Sequence, residues 1–461
     1  MTVKATSSLT APLIPPPRQS LVEALAAASE TKELLLSTGA SSNVVDVFRR
    51  QFPGHKAIVV CDPTTHRVAG NLIDKKLHGA RLAESAAFVL ADPDLYAEYR
   101  FVERLEPVLR QSNAIAVAVG SGTINDLVKL ASHRVGRPYM CVSTAASMDG
   151  YTAFGASITH HGAKQTFNCP APRAVLADLE VLRHAPPEMT ASGYADLQAK
   201  ITAGADWLVA HALGVEPIEP RAWAIVQGGL RDALADPAGA RRGDAKAIEA
   251  LTEGLMLGGF AMQWTKSSRP ASGAEHQFSH LWDMEHHTHN GHAPSHGFKV
   301  GLATLAIATL YEAMLRIPFE KLDVEHCVSS WPDKSSIEAE IRRRFAASDF
   351  LDTALHETAA KHASSDELRE QLGRLVRCWP ALREQLRRQL LPSTELKRRL
   401  EIVGAPTRAV ELGLTAERLR QTFHRAYFIR RRFTILDLAI RTQSLDRCLD
   451  SLFGPGGPLA S

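Results

Sequence analysis

The chain contains little cysteine, and its cysteines are far apart. Six occur in 461 residues, and no two of them are spaced as Cys-x-x-Cys. This scatter excludes a disulfide framework and a thiolate metal site, and it is typical of proteins in a reducing compartment. The chain also lacks an uninterrupted run of eighteen apolar residues, so no membrane-spanning helix is expected. We therefore expect a cytoplasmic protein.

A strong net charge is also absent. The formal charge is +3 at pH 7, which provides no overall attraction for nucleic acid. Basic residues do cluster late in the chain, and we interpret these clusters as solvated helix faces or structural ion pairs; they cover residues 342–344, 397–399 and 430–432. Apolar residues, by contrast, make up 45% of the chain, enough for substantial cores, and the length predicts two domains.

Short apolar segments alternate with helical segments between about residues 56 and 183. The predicted strands cover residues 56–62, 86–90, 114–120, 139–144 and 173–178. Apolar strands of this kind are typical of a parallel sheet with helices on both faces. Beyond residue 184 the helical pattern dominates. The fold class predicted is therefore an α/β dinucleotide-binding domain with a parallel sheet, followed by an all-α domain.

The predicted organisation has four parts. They are a flexible, proline-rich leader over residues 1–20, the α/β domain over 21–183, the helical domain over 184–450 and a flexible tail over 451–461.

A glycine-rich turn follows the strand predicted at 114–120. It reads Gly120-Ser121-Gly122-Thr123-Ile124-Asn125-Asp126, and a helix follows directly. Glycine lets backbone N–H groups approach a phosphate, and the start of a helix adds partial positive charge. Such a turn either binds phosphate or simply reverses the chain, and the local sequence leaves both open. Asp126 is expected to cap or orient the turn.

Two more polar positions follow predicted strands. Asp62 ends the first one, where a carboxylate can accept hydrogen bonds from an adenosine ribose or can cap the turn at Pro63. The segment 143–150, Ser-Thr-Ala-Ala-Ser-Met-Asp-Gly, follows the fourth strand and is expected at the same edge of the sheet as the glycine-rich turn. Its Asp149 is either a ligand-facing carboxylate or an ordinary turn former.

Three histidines point to metal chemistry. His276 and His280 are four residues apart in a predicted helix and so share one face, and His296 precedes a long apolar helix. Converging imidazoles are what an open, catalytic zinc-type site requires. The alternative is a pair of surface histidines on a helix.

Taken together, these strings resemble the sn-glycerol-1-phosphate dehydrogenase family, within the iron-type alcohol dehydrogenase and dehydroquinate-synthase-like superfamily. The matching strings are G-S-G-T-I-N-D, S-T-A-A-S-M-D-G-Y, A-D-L-E-V-L, G-Y-A-D-L-Q-A-K-I-T-A-G-A-D-W, R-P-A-S-G-A-E-H-Q-F-S-H and S-H-G-F-K-V-G. With the strands before them they span roughly residues 56–301.

The resemblance implies a set of site residues. Asp196, at the predicted start of a helix, would bind one divalent metal together with His276 and His296; zinc is expected, with nickel and iron(II) as alternatives. The alternative for Asp196 is an ordinary carboxylate at a helix start, paired with Lys200. Asp149, Asp196 and His280 would contact the substrate, with Asp149 and His280 as catalytic groups. The expected contacts of NAD or NADP are Asp62, Gly120, Ser121, Gly122, Thr123, Ile124, Thr144 and Ser147.

The implied reaction is the reversible, NAD(P)-linked reduction of dihydroxyacetone phosphate to sn-glycerol 1-phosphate. The metal would polarise the C2 oxygen for hydride transfer, and His280 would relay a proton with a near-neutral pKa. Alternatives are a dehydroquinate-synthase-like cyclase, which is a lyase, a dehydrogenase of another polyol or alcohol, and a non-catalytic metal-storage or sensor protein. A homo-oligomer, a dimer or larger, is expected.

The chain departs from the family pattern at several positions. Ser121 replaces a glycine, Ala146 a proline, Ala195 a glycine and Ala153 a serine, and the last change removes an expected cofactor contact. A histidine-rich insertion over residues 285–293 separates the last two metal ligands, and its histidines are not expected to bind the metal. The region after residue 335 has no counterpart in the resemblance and is expected to pack on the helical domain or to mediate assembly.

Overall fold

A six-stranded parallel sheet forms the centre of the first part of the protein. The structure is a computed structural model that describes residues 19–160 and 163–460. Its strands are β1 Glu33–Ser37, β2 Ala57–Cys61, β3 Phe88–Val89, β4 Ile115–Gly120, β5 Met140–Ser143, β6 Ala156–His160, β7 Ala163–Phe167 and β8 Ala174–Asp178. The sheet order is β1-β8-β5-β4-β2-β3, and β6 and β7 form a separate antiparallel hairpin.

The predicted parallel sheet is confirmed, and two features were not anticipated. All five predicted strands are present within about three residues of their expected bounds. The sequence Glu-Leu-Leu-Leu-Ser forms the additional edge strand β1, which pairs with β8 from Glu33 to Ser37. The β6–β7 hairpin lies outside the sheet. The leader predicted over residues 1–20 lies outside the described residues except for Gln19 and Ser20.

Helices cover both faces of the sheet, which explains why its strands are apolar throughout. They are α1 Leu21–Ala27, α2 Val44–Gln51, α3 Pro63–Thr65, α4 Asn71–Gly79, α5 Tyr99–Arg110, α6 Gly122–Arg134 and α7 Leu179–Arg183. Ile58 and Val60 of β2 are buried in the core that includes α5 and α6. Val59 and Cys61 point the other way, into the core that includes α2 and α4. Side chains that alternate along β2 therefore enter two different cores.

The rest of the chain is helical. Its helices are α8 Pro187–Gln198, α9 Lys200–Ala212, α10 Pro220–Gln227, α11 Leu230–Ala233, α12 Pro237–Arg242, α13 Ala245–Thr265, α14 Ala274–Met284, α15 His296–Met314, α16 Val324–Ser329, α17 Lys334–Arg344, α18 Leu351–Lys361, α19 Ser365–Gln389, α20 Ser393–Val403, α21 Ala416–Ala426, α22 Ile435–Arg441 and α23 Leu445–Phe453. The eight strands named above all precede residue 184, and the division into two domains there stays a prediction.

Short 3₁₀ and π turns complete the secondary structure. The 3₁₀ turns are Ala40–Asn43, Gly150–Thr152, Arg269–Ala271, Phe319–Lys321, Ala409–Leu412 and Tyr427–Ile429, and the π turn is His66–Gly70. Among the described residues, no helix combines the length and the apolar character needed to cross a bilayer.

The region after residue 335 packs on the helical part. Side chains of α17–α19 and α21–α23 belong to the same buried cluster as those of α9, α14 and α15; Leu372, Trp379 and Phe423 lie in it with Trp282 and Tyr311. The predicted tail begins inside α23, and beyond that helix Leu459 packs against the same cluster.

Candidate active site

The sheet places the predicted cofactor turn at a position that favours ligand binding. From β2 the chain moves outward to β3 and then returns to the other side of β2 as β4. Ligands of open α/β sheets bind at the carboxyl ends of the strands where the strand order reverses in this way. Asp62 and Gly120 end these two neighbouring strands, so both lie at the reversal point.

Tight packing fixes the shape of the glycine-rich turn. A Cβ atom on Gly120 would lie 2.6 Å from Cβ of Ile124, which no real side chain tolerates. Ser121 is the N-cap residue of α6, whose first N–H groups have no partner within the helix. The turn can therefore present backbone donors to an anion. Ile124 is buried in the core, so only its backbone is available to a ligand.

The loop after β5 lies beside this turn. The amide of Thr144 donates to the Gly120 carbonyl over 3.1 Å, and the Thr144 side chain is buried. Ser147 is half-buried and its hydroxyl lies 3.2 Å from that of Tyr151. A Cβ on Gly193 of α8 would collide with the Ala146 carbonyl oxygen. The glycine thus lets α8 approach the loop closely, and this approach brings Asp149 next to Asp196.

The structure brings the three predicted metal ligands together. One ligand atom from each of Asp196, His276 and His296 lies within 4.8 Å of the others. Asp196 is in the last turn of α8, so its predicted position at the start of a helix is wrong. His276 lies on α14 and His296 is the first residue of α15. Three separate helices therefore converge on one point.

Neighbouring groups orient both imidazoles. Nδ1 of His276 lies 2.7 Å from Oε1 of Glu275, which leaves Nε2 facing Asp196 at 3.5 Å from Oδ1. Glu275 is held in turn by the amide of Gly273 at 2.6 Å and the hydroxyl of Thr202 at 2.8 Å. Nδ1 of His296 lies 3.4 Å from the Ser279 hydroxyl. A carboxylate on the outer nitrogen is the usual support of a metal-binding histidine, and it fixes the ring and its tautomer.

Lys200 was not predicted as a site residue, although its charge is central to the arrangement. Its side chain is completely buried, and Nζ lies 2.8 Å from Oδ1 of Asp196 and 2.7 Å from Oδ2 of Asp149. The sequence suggested only an ion pair with Asp196, four residues earlier. The amide of Asp149 also donates to Oδ2 of Asp196 over 3.0 Å. Lys200 therefore connects Asp149, which lines the cleft described below, to Asp196, the proposed ligand carboxylate.

The electrostatics of this cluster suit a divalent cation. Burial raises the pKa of Asp196, but Lys200 and the two histidines outweigh burial, so the pKa lies below its ordinary value and the group is ionised. Burial and the neighbouring Asp196 raise the pKa of Asp149. Burial lowers the pKa of His296 to about 3, which keeps this imidazole neutral. Burial lowers the pKa of His276, but its hydrogen bonds to Asp196 and Glu275 outweigh burial, so this pKa lies above its ordinary value. A carboxylate and two imidazole nitrogens match zinc, nickel or iron(II), so the donor set fits the expected metal.

His280 lies beside the cluster. Its ring centre is 6.3 Å from that of His276 and 6.1 Å from that of His296. Burial lowers the pKa of His280 well below its ordinary value, and the positive charge of Arg430 lowers it further. This result differs from the near-neutral pKa that was expected for a proton relay, and it leaves His280 as a neutral imidazole.

Asp62 caps a helix in this structure. Oδ1 accepts hydrogen bonds from the amides of Thr64 and Thr65 at 2.8 and 2.9 Å, and Oδ2 accepts one from the Thr65 hydroxyl at 2.9 Å. Of the two roles that the sequence left open for Asp62, the hydrogen bonds present in the structure are those of a helix cap at Pro63. Its place at the end of β2 is still the place where a ribose would lie.

The histidines of the insertion lie among contacts to the C-terminal helices. His286 pairs with Asp349 at 3.1 Å, and Nε2 of His287 lies 2.6 Å from the Leu412 carbonyl. His289 and His292 form a small bridge with each other. Among the described residues, the one group with metal-binding spacing is Asp196, His276 and His296.

One cleft joins the turn to the metal cluster. Its volume is about 400 Å³, and the residues along it include Ser121, Gly122, Thr123, Ser147, Asp149, His276, His280 and His296. Ala153, where the resemblance leads one to expect a serine, also lines this cleft and offers no hydroxyl. A dinucleotide on the turn and a substrate at the metal cluster would thus share one cleft.

Comparison with known proteins shows which families this chain resembles. The family of iron-containing alcohol dehydrogenases matches residues 36–186. Glycerol-1-phosphate dehydrogenase [NAD(P)+] of Halalkalibacterium halodurans is 31% identical over 386 residues, 82% of this chain and 84% of the relative. The enzyme of the same name from Bacillus subtilis is 33% identical over 287 residues, 62% of this chain and 73% of the relative.

Solved structures show the same fold. A probable glycerol dehydrogenase from Sinorhizobium meliloti has a TM-score of 0.57 at 17% identity, covering 92% of this chain and 99% of its own. Glycerol dehydrogenase from Schizosaccharomyces pombe has a TM-score of 0.57 at 15% identity, covering 94% and 92%. Given the extent of the match to its sequence relatives, the chain belongs to the glycerol-1-phosphate dehydrogenase family and is an oxidoreductase of the iron-containing alcohol dehydrogenase type.

Proposed function

We propose that this protein catalyses the reversible, NAD(P)-linked reduction of dihydroxyacetone phosphate to sn-glycerol 1-phosphate with one divalent metal ion. The observation that carries the proposal is one cleft lined by the glycine-rich turn, His276 and His296. The two histidines form the group with metal-binding spacing together with the buried Asp196. The relatives named glycerol-1-phosphate dehydrogenase [NAD(P)+] support the choice of substrate.

Asp196, His276 and His296 would hold the metal, with zinc as the expected ion and nickel or iron(II) as alternatives. When bound, such an ion supplies Lewis acidity at the C2 oxygen of the substrate. Three protein ligands leave a coordination position open, which a catalytic site requires. Glu275 and Ser279 hold the two imidazoles in place for this task.

The remaining residues of the cleft would orient the substrate and the dinucleotide through hydrogen bonds. Asp149 faces the cleft and is fixed by Lys200, so it can accept a hydrogen bond from a substrate hydroxyl in a defined direction. His280, as a neutral imidazole, can donate a hydrogen bond to the developing alkoxide oxygen. The amides at the start of α6 would bind the pyrophosphate of the dinucleotide, with Thr144 and Ser147 next to them and Asp62 at the ribose. The bound nicotinamide supplies or accepts the hydride.

Metal analysis tests this proposal most directly. The purified wild type should carry about one divalent ion per chain, and chelation should abolish NADH-dependent reduction of dihydroxyacetone phosphate while the far-UV circular dichroism stays unchanged. His296→Ala should lose both the ion and the activity. The exposed insertion residue His292 provides a matched control, and His292→Ala should keep both.

The choice of substrate is tested separately. Following NADH with dihydroxyacetone phosphate, dihydroxyacetone and simple aldehydes separates this reaction from the reduction of another carbonyl. A cyclase would show no net change in NADH. Full activity and a full complement of metal in His296→Ala would contradict the assignment of the metal ligands.

A further inference from the structure

Two positively charged side chains line the cleft. Among its described lining residues, two carry a permanent positive charge, Lys164 and Arg430. Lys164 comes from β7, and Arg430 follows the 3₁₀ turn Tyr427–Ile429 near the C-terminus. Burial is the main cause of the low pKa of His280, but both cations contribute to it. Lys164 and Arg430 are therefore close enough to His280 to affect its protonation.

Other cations near the cleft are already engaged. Nζ of Lys129 donates to the carbonyls of Gly150, Ala153 and Gly155 at 2.9–3.1 Å. Lys200 is bound between two carboxylates. Arg432 donates to the Ser272 carbonyl at 2.7 Å and the Ser268 hydroxyl at 2.8 Å. These three side chains hold the protein together and have little capacity left for a ligand.

Arg430 has no such engagement. Within the described part of the chain, its one hydrogen bond is a long contact of 3.4 Å with the Ser268 hydroxyl, and no carboxylate lies within 4.0 Å of its guanidinium. It is nevertheless half-buried. Burial lowers the pKa of Arg430, and Glu357, which lies beyond ion-pair distance, opposes this effect. A guanidinium that is partly removed from water with no carboxylate in contact is costly, and its fork of donors matches the oxygens of a phosphate. Lys164 is similar: within residues 19–160 and 163–460, its one hydrogen bond joins the ammonium to the Tyr96 hydroxyl at 3.1 Å, and the ammonium also lies over the face of that ring.

We propose that Arg430, assisted by Lys164, binds the phosphate group of a phosphorylated three-carbon substrate. This inference rests on the proposed function and assigns its phosphate site. The two cations lie on β7 and in the C-terminal region, whereas the amides expected to bind the dinucleotide belong to the start of α6. The substrate would therefore reach from the metal cluster, past His280, to Arg430. The sequence did not reveal this role, because Arg430 lies in an Arg-Arg-Arg string whose members have different surroundings.

The neighbouring arginine provides a matched control. Arg431 is 54% exposed and pairs with Glu357, so it adds the same charge to the protein without facing the cleft. We would measure kcat/KM of the metal-loaded enzyme for dihydroxyacetone phosphate and for unphosphorylated dihydroxyacetone. Arg430→Met should lower the ratio of the two values by about tenfold to a hundredfold, mainly through KM, because a charge-assisted hydrogen bond is lost. Arg430→Lys should fall between wild type and Arg430→Met, and Arg431→Met should keep the wild-type ratio.

Binding of inorganic phosphate separates this inference from the proposed function. Calorimetry on the metal-loaded protein should show at least tenfold weaker phosphate binding in Arg430→Met and an unchanged affinity for NADH. If the wild type does not reduce dihydroxyacetone phosphate, the proposed function fails, but the phosphate measurement still tests the site. Unchanged phosphate binding and an unchanged ratio in Arg430→Met would overturn the inference. So would a loss of NADH affinity, which would assign Arg430 to the cofactor phosphates.

Discussion

At the scale of single residues, His280 has two possible roles, as a metal ligand or as a group that faces the substrate. It lies on the same helix as His276, yet it is not part of the group with metal-binding spacing. We predict that His280→Ala keeps one ion per chain and loses about a hundredfold or more in turnover, the usual contribution of a hydrogen-bond donor to a developing oxyanion. Because its pKa is low, His280 should add no limb to the pH–rate profile near neutrality.

Metal analysis and steady-state kinetics of His280→Ala decide between the two roles. His276→Ala is the control that should lose the ion. Loss of the ion from His280→Ala would make this histidine a ligand. Unchanged kinetics would reduce it to a residue of the cleft wall.

The sequence predicted the group Asp196, His276 and His296, which the structure brings together, but not the residues that support it. The ligands belong to strings distinctive enough to recognise one by one. Lys200 was visible only as a partner of Asp196, because its second contact, with Asp149, spans 51 positions of the chain and depends on how α8 packs on the loop. Glu275 stood next to His276 in sequence, but the hydrogen bond that holds it from the Thr202 hydroxyl follows from the packing of α9 on α14. Contacts between segments that are far apart in the chain leave no pattern in the local sequence, so they could not be predicted from it.

At the scale of helices and strands, α14 depends on a helix from the C-terminal region. Phe278 and Phe423 pack edge to face with ring centres 4.8 Å apart, and the Trp282 indole donates to the Thr422 hydroxyl over 3.0 Å. We predict that Phe423→Ala lowers the free energy of unfolding by about 3–5 kcal/mol, as for other buried aromatic side chains. It should also weaken metal binding, because α14 carries His276.

Urea unfolding and metal titration check this prediction. Val410 is 56% exposed in the same region, and Val410→Ala should change the unfolding free energy by less than about 0.5 kcal/mol. A stable Phe423→Ala variant would show that other contacts hold α14 in place.

Prediction of the secondary structure succeeded where burial left a clear pattern. The central strands are apolar on both faces, which made them recognisable. β1 was missed because its residues are only partly buried and it pairs on one side alone, with β8. The hairpin was missed because β6 and β7 have mixed polar and apolar residues and stand outside the sheet.

At the scale of the whole molecule, the C-terminal region covers apolar side chains of the earlier helices. Its side chains share one buried cluster with α9, α14 and α15, and Arg430 of the same region reaches the cleft. The sequence left open whether this region packs on the helical part or mediates assembly, because its helices have amphipathic patterns that suit either. The structure shows that this region packs on the helical part. Assembly into a homo-oligomer stays a prediction.

This shared core predicts how the chain responds to truncation. A chain ending at Asp333 would lose α17–α23 and expose buried side chains such as Trp282 and Tyr311. Since burial of apolar surface is the main force that stabilises the fold, we expect this chain to aggregate or to unfold without a cooperative thermal transition. A chain ending at Gly454 keeps every α-helix found among the described residues, α1–α23, and should retain the transition and the metal-binding capacity. Circular dichroism during heating, with metal analysis of both chains, provides the measurement. A cooperative transition and a bound ion in the shorter chain would mean that the C-terminal region is a separable addition to an independent helical domain.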